Sequence, residues 1–207
     1  QACYNGSSEM VNQFSNAVIT FLFNIILMRL AGPNGVAAIT ILLYGQFLFN
    51  AFYLGFSIGT SPIVGYQYGA GNRKELKSIY RISFRFVSLS SVIIAFAAVY
   101  LSTSIVTIFT DDPKTHALAV TGFGIFAYNF LFSGFNIASS GFFTALSDGK
   151  SSAIISFCRT LLFTVISLLV LPRFFGVNGA WLAIPVAEFV TLLLSIWMHR
   201  KYLYRFI

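Results

Sequence analysis

Charged residues divide this chain into long apolar segments. The longest uncharged segment covers residues 30–72 and stops at a basic cluster that begins with Arg73 and ends with Arg85. A helix needs about 20 apolar residues to cross the hydrocarbon core of a bilayer, and each segment is long enough. The pattern therefore predicts six transmembrane helices, at about 9–31, 36–64, 84–110, 117–146, 151–171 and 178–199.

Short turn-forming sequences connect the predicted helices. The clearest are GPNG at 32–35 and GVNG at 176–179, and Gly, Pro and Asn in such clusters typically mark a turn. Because these connections are short, we expect successive helices to be antiparallel neighbours. The sequence predicts an all-α polytopic membrane protein that forms one unit over residues 1–207.

The composition supports a protein that is surrounded by lipid. Apolar residues make up 57% of the chain and charged residues only 9%, whereas a soluble domain has about 25% charged residues. The net charge of +7 does not indicate a nucleic-acid-binding protein, because long uncharged segments separate the basic residues. The bilayer is therefore the expected surrounding, and no nucleic acid is expected as a partner.

The basic residues are distributed unequally between the two sides of the predicted topology. One side holds ten of them: Arg73, Lys74, Lys77, Arg81, Arg85, Lys150, Arg159, Arg200, Lys201 and Arg205. The other side holds three: Arg29, Lys114 and Arg173. Basic loops stay in the cytoplasm, so we expect a multi-pass protein of the cell (inner) membrane with a cytoplasmic C-terminus.

The basic segment 74–82 has two interpretations. Leu76, Ile79 and Tyr80 fall on one side of a helix and the basic residues on the other, which predicts a short helix that lies flat on anionic headgroups. The alternative is a solvated basic loop that only sets the topology.

Three of the predicted helices carry a polar stripe. The stripes are Glu9, Asn12, Gln13, Asn16, Thr20 and Asn24; Gln46, Asn50, Tyr53, Ser57, Thr60 and Ser61; and Asn129, Ser133, Asn136, Ser140 and Thr144. An unpaired amide in hydrocarbon costs several kcal/mol, so the stripes either line a wet cavity or bond helix to helix. If they line a cavity, the residues expected to meet a substrate are Gln13, Asn50, Tyr53, Asn129 and Asn136.

Two ionisable residues lie deep in the predicted membrane region. Arg159 is eight residues into the fifth helix, and Glu188 is in the middle of the sixth. Their depths match, so one hypothesis is an ion pair that holds the two helices together in a structural or gating role. The alternative is that Arg159 extends to the headgroups and leaves Glu188 to the cavity.

Glu9 begins the first polar stripe without an obvious cationic partner. It is a candidate to bind Na⁺ or carry H⁺ beside Asn12 and Asn16. The alternative is an exposed acid at a helix start. No other cofactor is expected, since Cys3 and Cys158 have no metal-ligand spacing, and no H-E-x-x-H or G-x-S-x-G motif predicts an enzyme.

Four sequence segments carry a resemblance to a known family. NGSSEMVNQFSNAVITFLFN, SPIVGYQYGAGN, GFFTALSDGK and GVNGAWLAIPVAE resemble the carboxy-terminal half of MATE (multidrug and toxic compound extrusion) transporters. The resemblance implies helices seven to twelve of a two-lobed, twelve-helix transporter that exports drugs or organic cations in exchange for Na⁺ or H⁺. It also implies a missing N-terminal lobe of the same polypeptide, and the chain begins at Gln1 without an initiator Met.

The tenth family helix departs from the pattern of some Na⁺-coupled members. It has Asn129 and Asn136 where those members place an acid, so Glu9 is the candidate acid, on the seventh helix. Alternative functions are a flippase for lipid-linked oligosaccharide from the same broad superfamily and a structural membrane protein without transport. A homodimer that imitates the two lobes is an alternative architecture.

Overall fold

The fold consists of helices throughout its described part. It is taken from a computed structural model, which describes the backbone of residues 2–202 and the side chains of residues 14–202. The helices are α1 (Ala2–Gly69), α2 (Arg73–Phe109), α3 (Pro113–Phe126), α4 (Phe130–Ala145), α5 (Gly149–Phe157) and α6 (Phe163–Tyr202). A 3₁₀ turn at Ala127–Asn129 joins α3 to α4, and a π-helical turn at Cys158–Leu162 joins α5 to α6.

Two glycines divide the longest helices. Gly32 and Gly176 have φ values of 65° and 57°, a left-handed backbone that glycine adopts without steric cost. A Cβ atom on Gly35 would lie 3.1 Å from the carbonyl oxygen of Leu27, whereas residues eight apart in a straight helix are separated by about 12 Å. The chain therefore turns back at these glycines. We number the resulting spans one to six: 2–31, 33–69, Arg73–Phe109, Pro113–Ala145, 149–175 and 177–202.

The spans are apolar enough to cross a membrane. The four helical stretches Phe14–Gly69, Arg73–Phe109, Pro113–Ala145 and Gly149–Tyr202 each satisfy the length and hydropathy of a membrane span. Large apolar side chains such as Tyr100 and Ile108 are more than four-fifths exposed on the outside of the bundle, where lipid would cover them. The predicted all-α membrane fold is confirmed.

Span three begins earlier than the sequence pattern predicts. The helix starts at Arg73 rather than near residue 84, and the Asn72 side chain caps it by accepting a hydrogen bond of 3.3 Å from the Glu75 N–H. Segment 74–82 is therefore neither a separate interfacial helix nor a loop, and both interpretations were wrong. The reason is that Leu76 is buried on the same helical face as Val87, so packing continues through the basic segment.

Span four lies at the centre of the bundle. In its most apolar stretch 50% of the residues are buried, against 22% in each of the other three helical stretches. Its Phe123 and Phe130 join Phe23, Leu42 and Trp181 from spans one, two and six in the main core cluster. At Gly134, a Cβ atom would lie 2.6 Å from both the Ser91 hydroxyl and the Tyr53 ring. This glycine is needed for close packing of spans two, three and four.

Candidate functional site

A polar cavity of about 630 Å³ lies between the spans. Side chains from every span except the third line it: Asn16, Ile19, Thr20, Leu43, Gln46, Phe47, Asn50, Leu54, Ser57, Ile137, Ser140, Gly141, Ser156, Arg159, Thr160, Thr164, Ile184 and Glu188. Ligand cavities have volumes of about 300–1,000 Å³, so this one is large enough for a drug-sized molecule.

The polar stripes of spans one and two face this cavity. Asn16 and Thr20 reach it from span one, and Gln46, Asn50 and Ser57 reach it from span two. Of the two interpretations of these stripes, the cavity is therefore the one that the described residues support. The side chains of Glu9, Asn12 and Gln13 lie outside the described residues.

The stripe of span four is mostly packed against protein instead. Asn129 and Asn136 are fully buried, and Tyr53 of span two is buried beside them. None of these three lines the cavity formed by the described residues, and their contact with a substrate stays a prediction. The Asn129 amide nitrogen donates to the Phe126 carbonyl at 2.6 Å and the Tyr53 hydroxyl donates to the Phe130 carbonyl at 3.1 Å. The side-chain oxygen of Asn129 is buried without a hydrogen-bond partner among the described residues.

Glu188 is held by a network from three spans. The Arg159 Nε donates to its Oε1 at 2.7 Å, and the Asn136 amide donates to its Oε2 at 2.8 Å. The same amide donates to the Glu188 backbone carbonyl at 2.9 Å, and the Ser195 hydroxyl donates to the Asn136 oxygen at 3.0 Å. Of the two hypotheses for Arg159, the structure has the ion pair. A charge that is buried in this way is tolerated because every partner is supplied.

The backbone around Arg159 is adapted to this position. Arg159 lies in the π-helical turn Cys158–Leu162, a wider turn that frequently occurs at functional sites in proteins. The Thr164 hydroxyl donates to the Arg159 carbonyl at 2.8 Å. The Arg159 side chain keeps 18% of its surface exposed, whereas that of Glu188 keeps 4%. Arg159 is thus the accessible member of the pair.

A fourth polar stripe, on span five, was missed by the sequence reasoning. Ser152, Ser156, Thr160 and Thr164 recur at every fourth position, and the last three line the cavity. The Ser140 hydroxyl of span four shares hydrogen bonds with the hydroxyls of Ser152 and Ser156 at 2.9 and 2.8 Å. The regular spacing of small hydroxyl residues was the signal that could have found this face.

The sequence matches one family model over most of its length. The model described as MatE matches residues 10–169. The chain belongs to the MatE family. No curated protein matches this MatE chain.

Solved structures support the same fold. A MATE protein in complex with MaL6 and an outward-facing multidrug resistance MATE family transporter of the MOP superfamily each have a TM-score of 0.88 and 19% identity, over 97% of this chain and 46% of theirs. A MOP superfamily transporter from Pyrococcus furiosus, described by a binding pocket of reverse polarity, has a TM-score of 0.86 and 19% identity over 95% of this chain and 44% of its own. The MatE chain spans about half the length of these transporters.

Proposed function

We propose that the chain is the carboxy-terminal lobe of a secondary-active antiporter that exports drugs or other organic cations in exchange for Na⁺ or H⁺. The observation that carries this proposal is the 630 Å³ cavity, which polar side chains from five spans line at membrane depth. Polar groups are expensive at this depth, and in membrane proteins they typically mark a substrate or ion pathway. Membership of the MatE family supports transport rather than catalysis.

A second lobe would supply the opposite wall of this cavity. The chain spans less than half of each solved transporter that it matches, and spans one, two and five present their polar groups to the same space. In two-lobed transporters, substrate and ion sites lie near the bilayer midplane between the repeats. We therefore propose an N-terminal lobe of the same polypeptide as the partner, with a homodimer as the alternative.

Coupling is assigned to Glu9, together with Asn12 and Asn16. Glu188 is the one carboxylate among the described lining residues, and both of its oxygens already accept hydrogen bonds. A coupling carboxylate has to change the preference between inward- and outward-facing states when it is loaded, which requires a group that is free to bind the ion. Glu9 is the remaining acid on the stripe to which Asn16 belongs.

We propose that the protein lies in the cell (inner) membrane and that its C-terminus is in the cytoplasm. Arg159 forms an ion pair inside the bundle, so it is not counted as a loop residue that sets the topology. Nine basic residues then remain on one side of the membrane and three on the other. The asymmetry still favours a cytoplasmic position for the connection 70–72 and the C-terminus. Labelling of single cysteines at Asn72 and Asp111 with a membrane-impermeant thiol reagent tests this orientation.

The first experiment measures efflux of a fluorescent organic cation by the full-length transporter that contains this chain. Wild type is compared with Glu9→Gln under imposed Na⁺ and pH gradients, and Glu75→Gln serves as a control because Glu75 is an exposed acid beside the cap of span three. Loss of efflux in Glu9→Gln alone, at normal membrane abundance, supports coupling through Glu9. Normal efflux in Glu9→Gln would move coupling to Glu188 or the other lobe.

The flippase alternative gives a different outcome in the same cells. A pyrophosphate headgroup would need several free cationic side chains, whereas Arg159 is the one cation among the described lining residues and is already paired. Absence of cation efflux by wild type, together with movement of a lipid-linked oligosaccharide across vesicles, would favour the flippase.

A further inference from the structure

The accessible charge on the wall of the cavity is a guanidinium rather than a carboxylate. Arg159 and Glu188 are the charged members among the described lining residues. Glu188 is almost completely buried, and each of its carboxylate oxygens accepts a hydrogen bond from the protein. A ligand in the cavity therefore meets more of Arg159 than of the carboxylate behind it.

Arg159 has donors that the other described residues leave open. A guanidinium carries five N–H groups in a planar fork. Only the Nε group of Arg159 is bonded among the described residues, to Glu188. The edge formed by the two Nη atoms has the geometry that binds a carboxylate through two parallel hydrogen bonds. The nearby hydroxyl of Thr160 is not available as a competing donor, because it donates to the Ser156 carbonyl at 2.7 Å.

The charge of the Arg159–Glu188 pair limits which ligands the Nη edge of Arg159 can bind. Arg159 and Glu188 together are neutral, so a bound carboxylate would add one negative charge to those of the described lining residues, and an ionised Glu9 would increase this excess. A ligand that also carries a cationic group removes this excess. The amide oxygen of Gln46 and the other amides of spans one and two line the same cavity and suit a cationic group. A phosphate dianion fits poorly, since one shared guanidinium faces it.

We propose that the cavity selects zwitterionic substrates, organic cations that also carry a carboxylate, and that Arg159 binds this carboxylate. The inference rests on the proposed transport function because it names the substrate class of the same cavity. Arg159 acts here as a specificity-determining residue, and Glu188 and Asn136 position its guanidinium.

A matched pair of dyes tests the proposal. A rhodamine with a free carboxylate and its ethyl ester share the same cationic ring system and differ in the group that Arg159 would bind. We expect the purified full-length transporter to bind the carboxylate dye about tenfold more tightly than the ester, measured by fluorescence polarisation, which corresponds to about 1.4 kcal/mol. In Arg159→Gln/Glu188→Gln this preference should disappear, while Arg173→Gln, which removes an exposed cation elsewhere, should retain it.

Arg159→Lys provides a second variant if the double variant fails to fold. Lysine keeps the charge beside Glu188 but lacks the planar fork, so we expect the preference to fall severalfold with the fold intact. Equal binding of the two dyes by wild type, no binding of the carboxylate dye, or an unchanged preference in the folded Arg159 variants would overturn the proposal. If the preference is present but neither dye moves under Na⁺ or pH gradients in proteoliposomes, the proposed transport fails and the carboxylate site stands.

Discussion

Spans two and four carry similar polar stripes and place them in different surroundings. In span two, Gln46, Asn50 and Ser57 line the cavity. In span four, Asn129 and Asn136 are fully buried and bonded to protein groups. Both stripes avoid lipid, as the cost of unpaired polar groups requires. Span two turns three members of its stripe to the cavity, whereas span four turns Ser140 there and packs its asparagines against protein.

The position of each span in the bundle explains the difference. Span four packs against α1, α2, α5 and α6, so most of its polar groups meet another helix. Span two leaves one face toward the cavity, and its Phe47, Gly55 and Gly59 are exposed. A polar stripe in a membrane helix therefore predicts that the face turns away from lipid, whereas the helix neighbours decide whether it meets protein or a cavity.

The largest expected effect comes from removing the cation that supports the buried network. Arg159→Gln leaves Glu188 as an unpaired buried charge, and we expect it to destabilise the protein by about 3–5 kcal/mol in detergent. Arg159→Gln/Glu188→Gln should recover much of this loss, because it removes both charges. Unfolding by chemical denaturation measures both, with Arg173→Gln as the control. Equal stability of the single variant and wild type would show that the pair contributes nothing.

The next largest effect is a difference in stability between variants of Asn136 in span four and Asn50 in span two. Asn136→Leu removes the donor to Glu188 Oε2, and we expect a loss of about 1.5–3 kcal/mol, since hydrogen bonds to charged groups are the stronger ones. Asn50→Leu removes one acceptor of a 3.2 Å bond from Ser133 and should cost less than about 1 kcal/mol. The same denaturation assay compares them. A larger loss of stability in Asn50→Leu than in Asn136→Leu would contradict the conclusion that span four packs its stripe and span two exposes it to the cavity.

Gly134 of span four and Gly55 of span two differ in how closely other residues pack against them. In Gly134→Ala, the new methyl group would meet the Tyr53 ring and the Ser91 hydroxyl, and we expect a loss of about 1–3 kcal/mol from overpacking. In Gly55→Ala, no described atom lies within 4 Å of the new methyl group, so the isolated chain should gain about 0.5–1 kcal/mol of helix stability. Thermal unfolding of the chain in detergent distinguishes the two, and losses of equal size would contradict the contrast.

The smallest effect concerns the bond that joins the two stripes. Ser133→Ala removes the donor to Asn50, and we expect a loss of about 0.5 kcal/mol, the low end for a hydrogen bond because 3.2 Å is long. In Asn50→Ala the further addition of Ser133→Ala should cost little, because the bond is already absent. A double-mutant cycle measures this coupling, and additive losses would show that the bond is not formed in solution.

The sequence predicts apolar helices and glycine-rich turns because both are local properties of the chain. The ion pair of Arg159 with Glu188 was also within reach, since depth along two helices can be counted from their ends. The burial of Asn136 was not, because it depends on which helix lies at the centre of the bundle.

The spacing of Gly55 and Gly59, two small residues four positions apart on one helix, predicts close helix packing. That interpretation is wrong for the described residues, since no atom lies within 4 Å of a Cβ at either position. The close approach occurs at Gly134 instead, where the ring of Tyr53 from another span decides the contact. Contacts of this kind depend on residues that are distant in sequence, and a local pattern cannot show them.

The one-residue turns at Gly32 and Gly176 have a consequence for how the chain enters the membrane. Almost no polar backbone separates spans one and two, or spans five and six, at these ends. Each pair can therefore insert as a helical hairpin with hardly any hydrophilic segment between its two helices. The connection 110–112 between spans three and four is the longer non-helical segment on that face, which makes it the natural place there for a protease site or an epitope tag.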